Sequence, residues 1–191
     1  MSLGSDFVCV VQLTDSHLFA DAEGDLLGLQ TQASLDAVVD MVLEQISRMD
    51  LVLATGDITQ DGSEAAYRRF IASSLRLPAP CYWIPGNHDD ADLMARLGKP
   101  LGLTRDWVDI GNWRIVLLDS SILGAVSGHL SQATLSSLDH ALATAGERHV
   151  LVCLHHQPVS IGSLSMDIKL VIHGLDVILK SRLIRHFSGE F

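Results

Sequence analysis

The sequence predicts an α/β fold, a mixed sheet covered by helices. Three features point there: short apolar, β-branched runs alternate with amphipathic stretches of helical period, Gly, Pro or Asn marks most junctions, and one two-residue turn joins two strands directly. Phe7–Leu13 is a first buried strand. Thr31–Arg48 carries Ala33, Ala37, Val38, Met41, Val42, Gln45 and Ile46 at helical spacing, so this face is expected to pack on the sheet. Leu51–Ala54 reads as a second strand, ended by Thr55-Gly56. Ser63, then Glu64, Tyr67, Phe70 and Ile71, predicts a capped amphipathic helix. Pro78 and Pro80 lead into a third strand, Cys81–Ile84. Trp107–Ile110, Gly111-Asn112 and Trp113–Leu118 give a hairpin signal. Ser131–Ala143 is helical with Leu135, Leu138 and Leu142 inward, and His149–Leu154 is another buried strand. No internal repeat or low-complexity tract interrupts the series.

At 191 residues, 48% hydrophobic and 19% charged, the chain is expected to form one domain spanning 1–191 rather than a disordered segment. Its net charge of −10 disfavours a nucleic-acid polymer as partner, because such binding needs clustered Lys and Arg against phosphates. Cys9, Cys81 and Cys153 all fall in strand-like segments and read as three small buried hydrophobes. Their odd number without C-x-x-C spacing fits neither a disulfide framework nor a zinc knuckle. No basic start leads into a long apolar run, and no uncharged stretch is long enough to span a bilayer. A cytoplasmic location without membrane contact is therefore expected.

Polar residues suited to metal binding recur where these strands end. They are Asp15-Ser16-His17, Gly56-Asp57 with Asp61 closing Gly56–Asp61, Gly86-Asn87-His88-Asp89, and His155-His156-Gln157-Pro158. Carboxylate, imidazole and amide oxygen together suit divalent transition metals, and one carboxylate shared between neighbouring sites suits two of them. If the first strand continued, its period of two would put Asp15 and His17 on one face. Asp57 follows a glycine that leaves room for ions. Asn87 offers a neutral oxygen. His88 cannot easily share an ion with its immediate neighbour, so it is expected to face the substrate, with Asp89 orienting its imidazole. Asp61 is expected to support the ligands or cap a helix. His155 and His156 would point to opposite sides, with His156 in a supporting role. His129, His140, His149, His173 and His186 lack such context and read as surface or structural histidines.

These motifs, together with Gln12–Phe19, Leu26-Leu27-Gly28, Thr55–Gly62 and Trp83–Asp89, resemble the calcineurin-like metallophosphoesterases, and within them the bacterial class III 3′,5′-cyclic nucleotide phosphodiesterases. The resemblance runs from about Phe7 to Pro158 and more weakly through Met166–His186. It implies a four-layer α/β/β/α sandwich, two facing sheets between helices, with two metal ions, Fe or Mn with Zn as a further option, at the strand ends. By resemblance Asp15, His17 and Asp57 hold the first ion, and Asp57, Asn87 and His155 the second. His17, Asp57, Asn87 and His88 would face the substrate. The implied reaction is hydrolysis of cyclic AMP to 5′-AMP by a metal-bridging hydroxide, with His88 as general acid. Two dications would also reverse the field of an acidic surface where an anionic substrate binds.

The family's closing Gly-His-x-His, one histidine for each ion, does not occur in the sequence, and His173-Gly174 has the reverse order inside a helical pattern. Asp167–His186 reads as the helical region that precedes that motif. The expectation is a domain shortened at its C-terminus, lacking the last strands and holding its metals less tightly. The alternative function is a catalytically poor fragment that folds and forms a homo-oligomer through an open sheet edge.

Overall fold

A computed structural model of the chain describes residues 7–157. The expected helical region Asp167–His186, including His173 and His186, lies outside the described residues, as does Pro158. In chain order the elements are β1 (Val10–Leu13), the short strands β2 (Asp25–Leu26) and β3 (Leu29–Gln30), α1 (Thr31–Gln45), β4 (Leu51–Thr55), α2 (Glu64–Ser74), β5 (Cys81–Ile84), α3 (Ala91–Gly98), a 3-10 turn (Lys99–Leu101), β6 (Trp107–Ile110), β7 (Trp113–Leu117), α4 (Gln132–Ala143) and β8 (His149–Cys153).

Two three-stranded sheets carry the fold. The first has the order β1-β4-β5 and is parallel throughout. The second has the order β6-β7-β8, with β6 antiparallel and β8 parallel to β7. Alternation along the strands assigns each side chain to a layer. In β4, Val52 and Ala54 pack with Leu35, Val39, Val42, Tyr67, Phe70 and Leu93 from α1, α2 and α3. Leu51 and Leu53 point the other way and meet Ile84, Ile115 and Leu117 between the sheets. In β7, Val116 turns outward with Leu138 and Ala141 of α4. Three apolar interfaces therefore separate four layers, α/β/β/α. Each large side chain fully withdrawn from water in these interfaces contributes about 1.5–3 kcal/mol before entropy is counted.

The helix starts follow from local chemistry. The Ser63 hydroxyl accepts from Ala66 N–H at 3.4 Å, Asp90 from Leu93 N–H at 2.9 Å, and Ser131 from Thr134 N–H at 3.1 Å. Several expectations need correction. β1 begins at Val10, and Phe7 is exposed. α1 ends at Gln45, and its buried face is Thr31, Leu35, Val39 and Val42, while Ala33, Ala37 and Gln45 face solvent. The branched residues win the inward face because they bury more apolar surface than alanines do. α3 is not among the elements that the periodicity predicts. Cys9, Cys81 and Cys153 are free thiols, only Cys81 fully buried. Burial pushes Cys81 and Cys153 up to about 12, so both stay protonated. Among the described residues, no helix is long and apolar enough to cross a membrane.

Candidate metal centre

The proposed ligands lie beyond the C-terminal ends of strands: Asp15 and His17 after β1, Asp57 after β4, Asn87 and His88 after β5, and His155 after β8. Ligand sites in open α/β sheets form at this end. Because β1 and β4 are parallel, their continuing segments run side by side. Asp15 N–H donates to Gly56 O at 3.1 Å, His17 N–H to Asp57 O at 2.9 Å and Leu18 N–H to Ile58 O at 3.0 Å. Gly56 (φ 102°), Asp15 (φ 55°), His17 (φ 43°) and Asp57 (φ 48°) all take left-handed backbone. Among the described residues the one other non-glycine with positive φ is Leu27. Such conformations cost free energy and persist where the surroundings enforce them. They also correct the expectation of a shared strand face. β1 stops at Leu13, and left-handed turns, not strand alternation, bring Asp15 and His17 together.

The donors converge on Asp57, which is buried. His17 Nε2 lies 3.7 Å from Asp57 Oδ2 and 3.9 Å from Asp15 Oδ1, and His155 Nε2 lies 3.5 Å from Asp57 Oδ2. Good hydrogen bonds are shorter, about 2.7–3.2 Å. Ligands each about 2.1 Å from one shared ion stand about 3.0–3.5 Å apart, close to what is seen. His17 Nδ1 is buried without a hydrogen-bond partner. An imidazole with no good hydrogen bond at either nitrogen, facing two carboxylates, fits a cation between them. Two triplets have donor atoms within 4.8 Å of one another: His17, Asp57 and His88, and Asp15, Asp57 and His155. Asp57 belongs to both, as a bridging carboxylate would. His17 Nε2 also lies near Asp15 Oδ1, at 3.9 Å, the neighbour that the resemblance implies for it.

Two glycines make this approach possible. A Cβ on Gly56 would come 2.4 Å from His155 Nδ1, and one on Gly86 would come 2.1 Å from Asp57 Oδ1. Burial pushes the Asp57 carboxyl up, but the His155 imidazole, the His88 N–H at 3.0 Å and the charges of His155 and His17 outweigh it, so its pKa falls below the ordinary value. Burial pulls His155 down, and the neighbouring Asp57 carboxylate outweighs that, so its pKa is raised. His155 Nδ1 is held 3.0 Å from Thr55 O. A proton donated there leaves the Nε2 lone pair facing Asp57, the tautomer a metal ligand needs. His88 Nδ1 lies 3.4 Å from Gln60 O.

The supporting residues have partners other than those expected. Asp89 does not orient His88. Its Oδ2 accepts from Ile58 N–H at 3.1 Å and Gly86 N–H at 2.9 Å, and its Oδ1 from Thr59 N–H at 3.0 Å, Thr59 Oγ1 at 3.3 Å and Tyr67 OH at 3.0 Å. Asp61 does not cap α2, a task Ser63 performs. It accepts from Ala20 N–H at 2.7 Å and Ser63 N–H at 3.1 Å, tying the segment after β1 to that after β4. His156 is buried, its ring edge-on to that of His155 with centroids 5.1 Å apart, and its Nδ1 lies 2.8 Å from Ser120 Oγ. Burial lowers its pKa, and the neighbouring His155 lowers it further. Thr55, Gln60, Tyr67 and Ser120 were not singled out from the sequence. Thr55 and Gln60 flank Asp57 in its own motif, and Ser120 stands at a strand end as the ligands do. For Tyr67 the sequence gives only an apolar helix face.

His140 and His149 lean on Trp107 and Trp113, with ring centroids 5.7 and 5.0 Å apart. Neither approaches the centre, in keeping with a surface role.

Residues 10–180 match the model of the calcineurin-like phosphoesterases, a family that uses divalent metals. The chain is 51% identical over 160 residues to the 3′,5′-cyclic adenosine monophosphate phosphodiesterase CpdA of Pseudomonas aeruginosa, covering 84% of this chain and 59% of that protein. It is 41% identical over 166 residues to CpdA of Escherichia coli strain K12, covering 86% and 60%. A 3′,5′-cyclic-nucleotide phosphodiesterase of Nostoc sp. is 36% identical over 162 residues, covering 84% and 60%. The chain thus spans about 60% of the length of these curated relatives. A family match over most of the chain, on a sandwich whose strand ends gather the metal-type donors, places it among the calcineurin-like phosphoesterases.

Proposed function

We propose that this chain belongs to an enzyme that hydrolyses a phosphodiester, 3′,5′-cyclic AMP, to 5′-AMP with two divalent metal ions. The observation that carries the reading is the pair of donor triplets sharing Asp57. The names of the similar proteins supply the substrate. Asp15, His17, Asp57, Asn87 and His155 would hold the ions, with His88 within reach of one of them. Mixed oxygen and nitrogen donors suit Fe or Mn, and also Zn. When bound, the ions would neutralise the phosphodiester oxygens and acidify an attacking water.

The residues themselves do the rest. Gly56 and Gly86 let the loops close without side chains between them. Thr55 O fixes the ring of His155. His88 Nδ1 faces Gln60 O at 3.4 Å, a placement that would leave the other ring nitrogen for the substrate. As the water oxygen bonds to phosphorus and the bond to the 3′ oxygen breaks, a proton from the His88 imidazolium neutralises the leaving oxygen. Such general acid help is worth about 10²–10⁴-fold.

The test is chromatography of products after incubation of cyclic AMP with the chain and added Mn(II), with Asp57→Ala as control. Formation of 5′-AMP by the parent alone is expected. Equal hydrolysis by both proteins, or 3′-AMP as product, would overturn the reading.

A further inference from the structure

Tyr67 lies on α2, away from every proposed ligand in sequence, and is fully buried. Its ring packs edge-on against Trp83 with centroids 6.0 Å apart. Its hydroxyl is not idle. It donates to Asp89 Oδ1 at 3.0 Å and accepts from Asp90 N–H at 2.8 Å. Burial and the Asp89 charge push its pKa up, so it remains a donor at any working pH.

Asp89 is the hub of this arrangement. Its two oxygens accept from the loop after β4, at Ile58 and Thr59, and from the loop after β5, at Gly86. Those loops carry Asp57 on one side and Asn87 and His88 on the other. Their spacing sets whether Asp57 Oδ1 meets the His88 N–H, now 3.0 Å away. We infer that Tyr67 is a positioning residue: by holding Asp89 from one side, its hydroxyl fixes the distance between the Asp57 loop and the Asn87–His88 loop, and so the size of the metal centre. The inference rests on the metal-centre reading above. A half-buried carboxylate with five donors cannot turn without stranding some of them, and donors as buried as Tyr67 and Thr59 are costly to strand. Removing the hydroxyl takes one of the three donors from Asp89 Oδ1, leaves that oxygen to Thr59 alone, and leaves Asp90 N–H without its partner.

The test is Tyr67→Phe, which keeps the ring and removes one oxygen. Mn(II) affinity is measured by calorimetry, and kcat and KM on bis(p-nitrophenyl) phosphate are measured at saturating metal. Loss of a group behind the ligands is expected to weaken metal binding by about 10- to 100-fold. At saturating metal kcat is expected to stay low while KM changes little. Phe70→Leu trims the same helix and core without touching the hydroxyl, and is expected to lower the melting temperature with near-parental metal affinity. Thr59→Val, which removes another donor to Asp89, is expected to weaken metal binding as Tyr67→Phe does, and decides the matter if Tyr67→Phe does not fold. Parental affinity and kcat in Tyr67→Phe, or an equal loss in Phe70→Leu, would overturn the positioning role. Failure of the parent chain to bind Mn(II) would instead overturn the metal-centre reading.

Discussion

Gly86→Ala places one methyl group where the structure has no room. The added Cβ would lie 2.1 Å from Asp57 Oδ1, 2.4 Å from Asp57 N and 2.8 Å from Asp57 Cγ. Two of these atoms belong to a side chain that already accepts from His88 N–H, and the third is backbone, so rotating a side chain cannot relieve the overlap. The two loops must part by about 1 Å to reach ordinary contact. Overpacking of this kind costs about 1–3 kcal/mol of stability. A 1 Å displacement of reacting groups costs about 10²-fold in rate. The comparator is Gly98→Ala, whose Cβ would come 2.6 Å from the Trp83 ring, a similar overlap in the α3 layer. Urea unfolding and Mn(II) calorimetry are run on both. Both variants are expected to lose stability, and only Gly86→Ala is expected to lose Mn(II) affinity and turnover. Equal Mn(II) affinity in the two variants would refute the reasoning that Gly86 exists to admit Asp57.

His88→Ala is expected to slow cyclic AMP hydrolysis by about 10²–10⁴-fold and to slow an ester with a good leaving group less, because that group needs less protonation. Equal losses on the two substrates would remove the general-acid role. Asp109 shows a pH effect away from the centre. Hydrogen bonds from Arg114 at 2.7 and 2.8 Å, with the charges of Arg114 and Arg148, hold its carboxyl below the usual value despite partial burial. A lowered folded pKa stabilises the protein above the unfolded carboxylate value of about 3.9 and loses that contribution as pH falls. Asp109→Asn is therefore expected to lower the urea midpoint near pH 6, and the gap to the parent is expected to shrink as pH falls below about 4. A gap that does not narrow would show that the pair acts through shape rather than charge.

Local chemistry made parts of the fold legible. Cys81–Ile84, the Ser63 cap and the Gly111-Asn112 hairpin each depend on a few adjacent residues, and the structure has all three. The four ligand-bearing segments were legible for the same reason. What was hidden depended on distance along the chain or on two-sided burial. β4 is buried at every position, so its sequence does not say which residues meet the helices and which meet the second sheet. The period alone does not fix the inward face of α1, because Ala33 and Ala37 match it as well as Leu35 and Val39 do. Nothing in Asp15-Ser16-His17 announces left-handed turns, which non-glycine residues seldom adopt. Asp89 has hydrogen-bond partners 22 to 31 residues away, so its bracing of two loops appears only once they meet.

Asp57 as a carboxylate shared by two ions is most directly tested by Mn(II) stoichiometry and affinity, measured by calorimetry on the parent and on Asp57→Ala. Two ions per parent chain are expected at excess metal, with both weakened in the variant. One ion retained by Asp57→Ala at parental affinity would contradict the shared ligand.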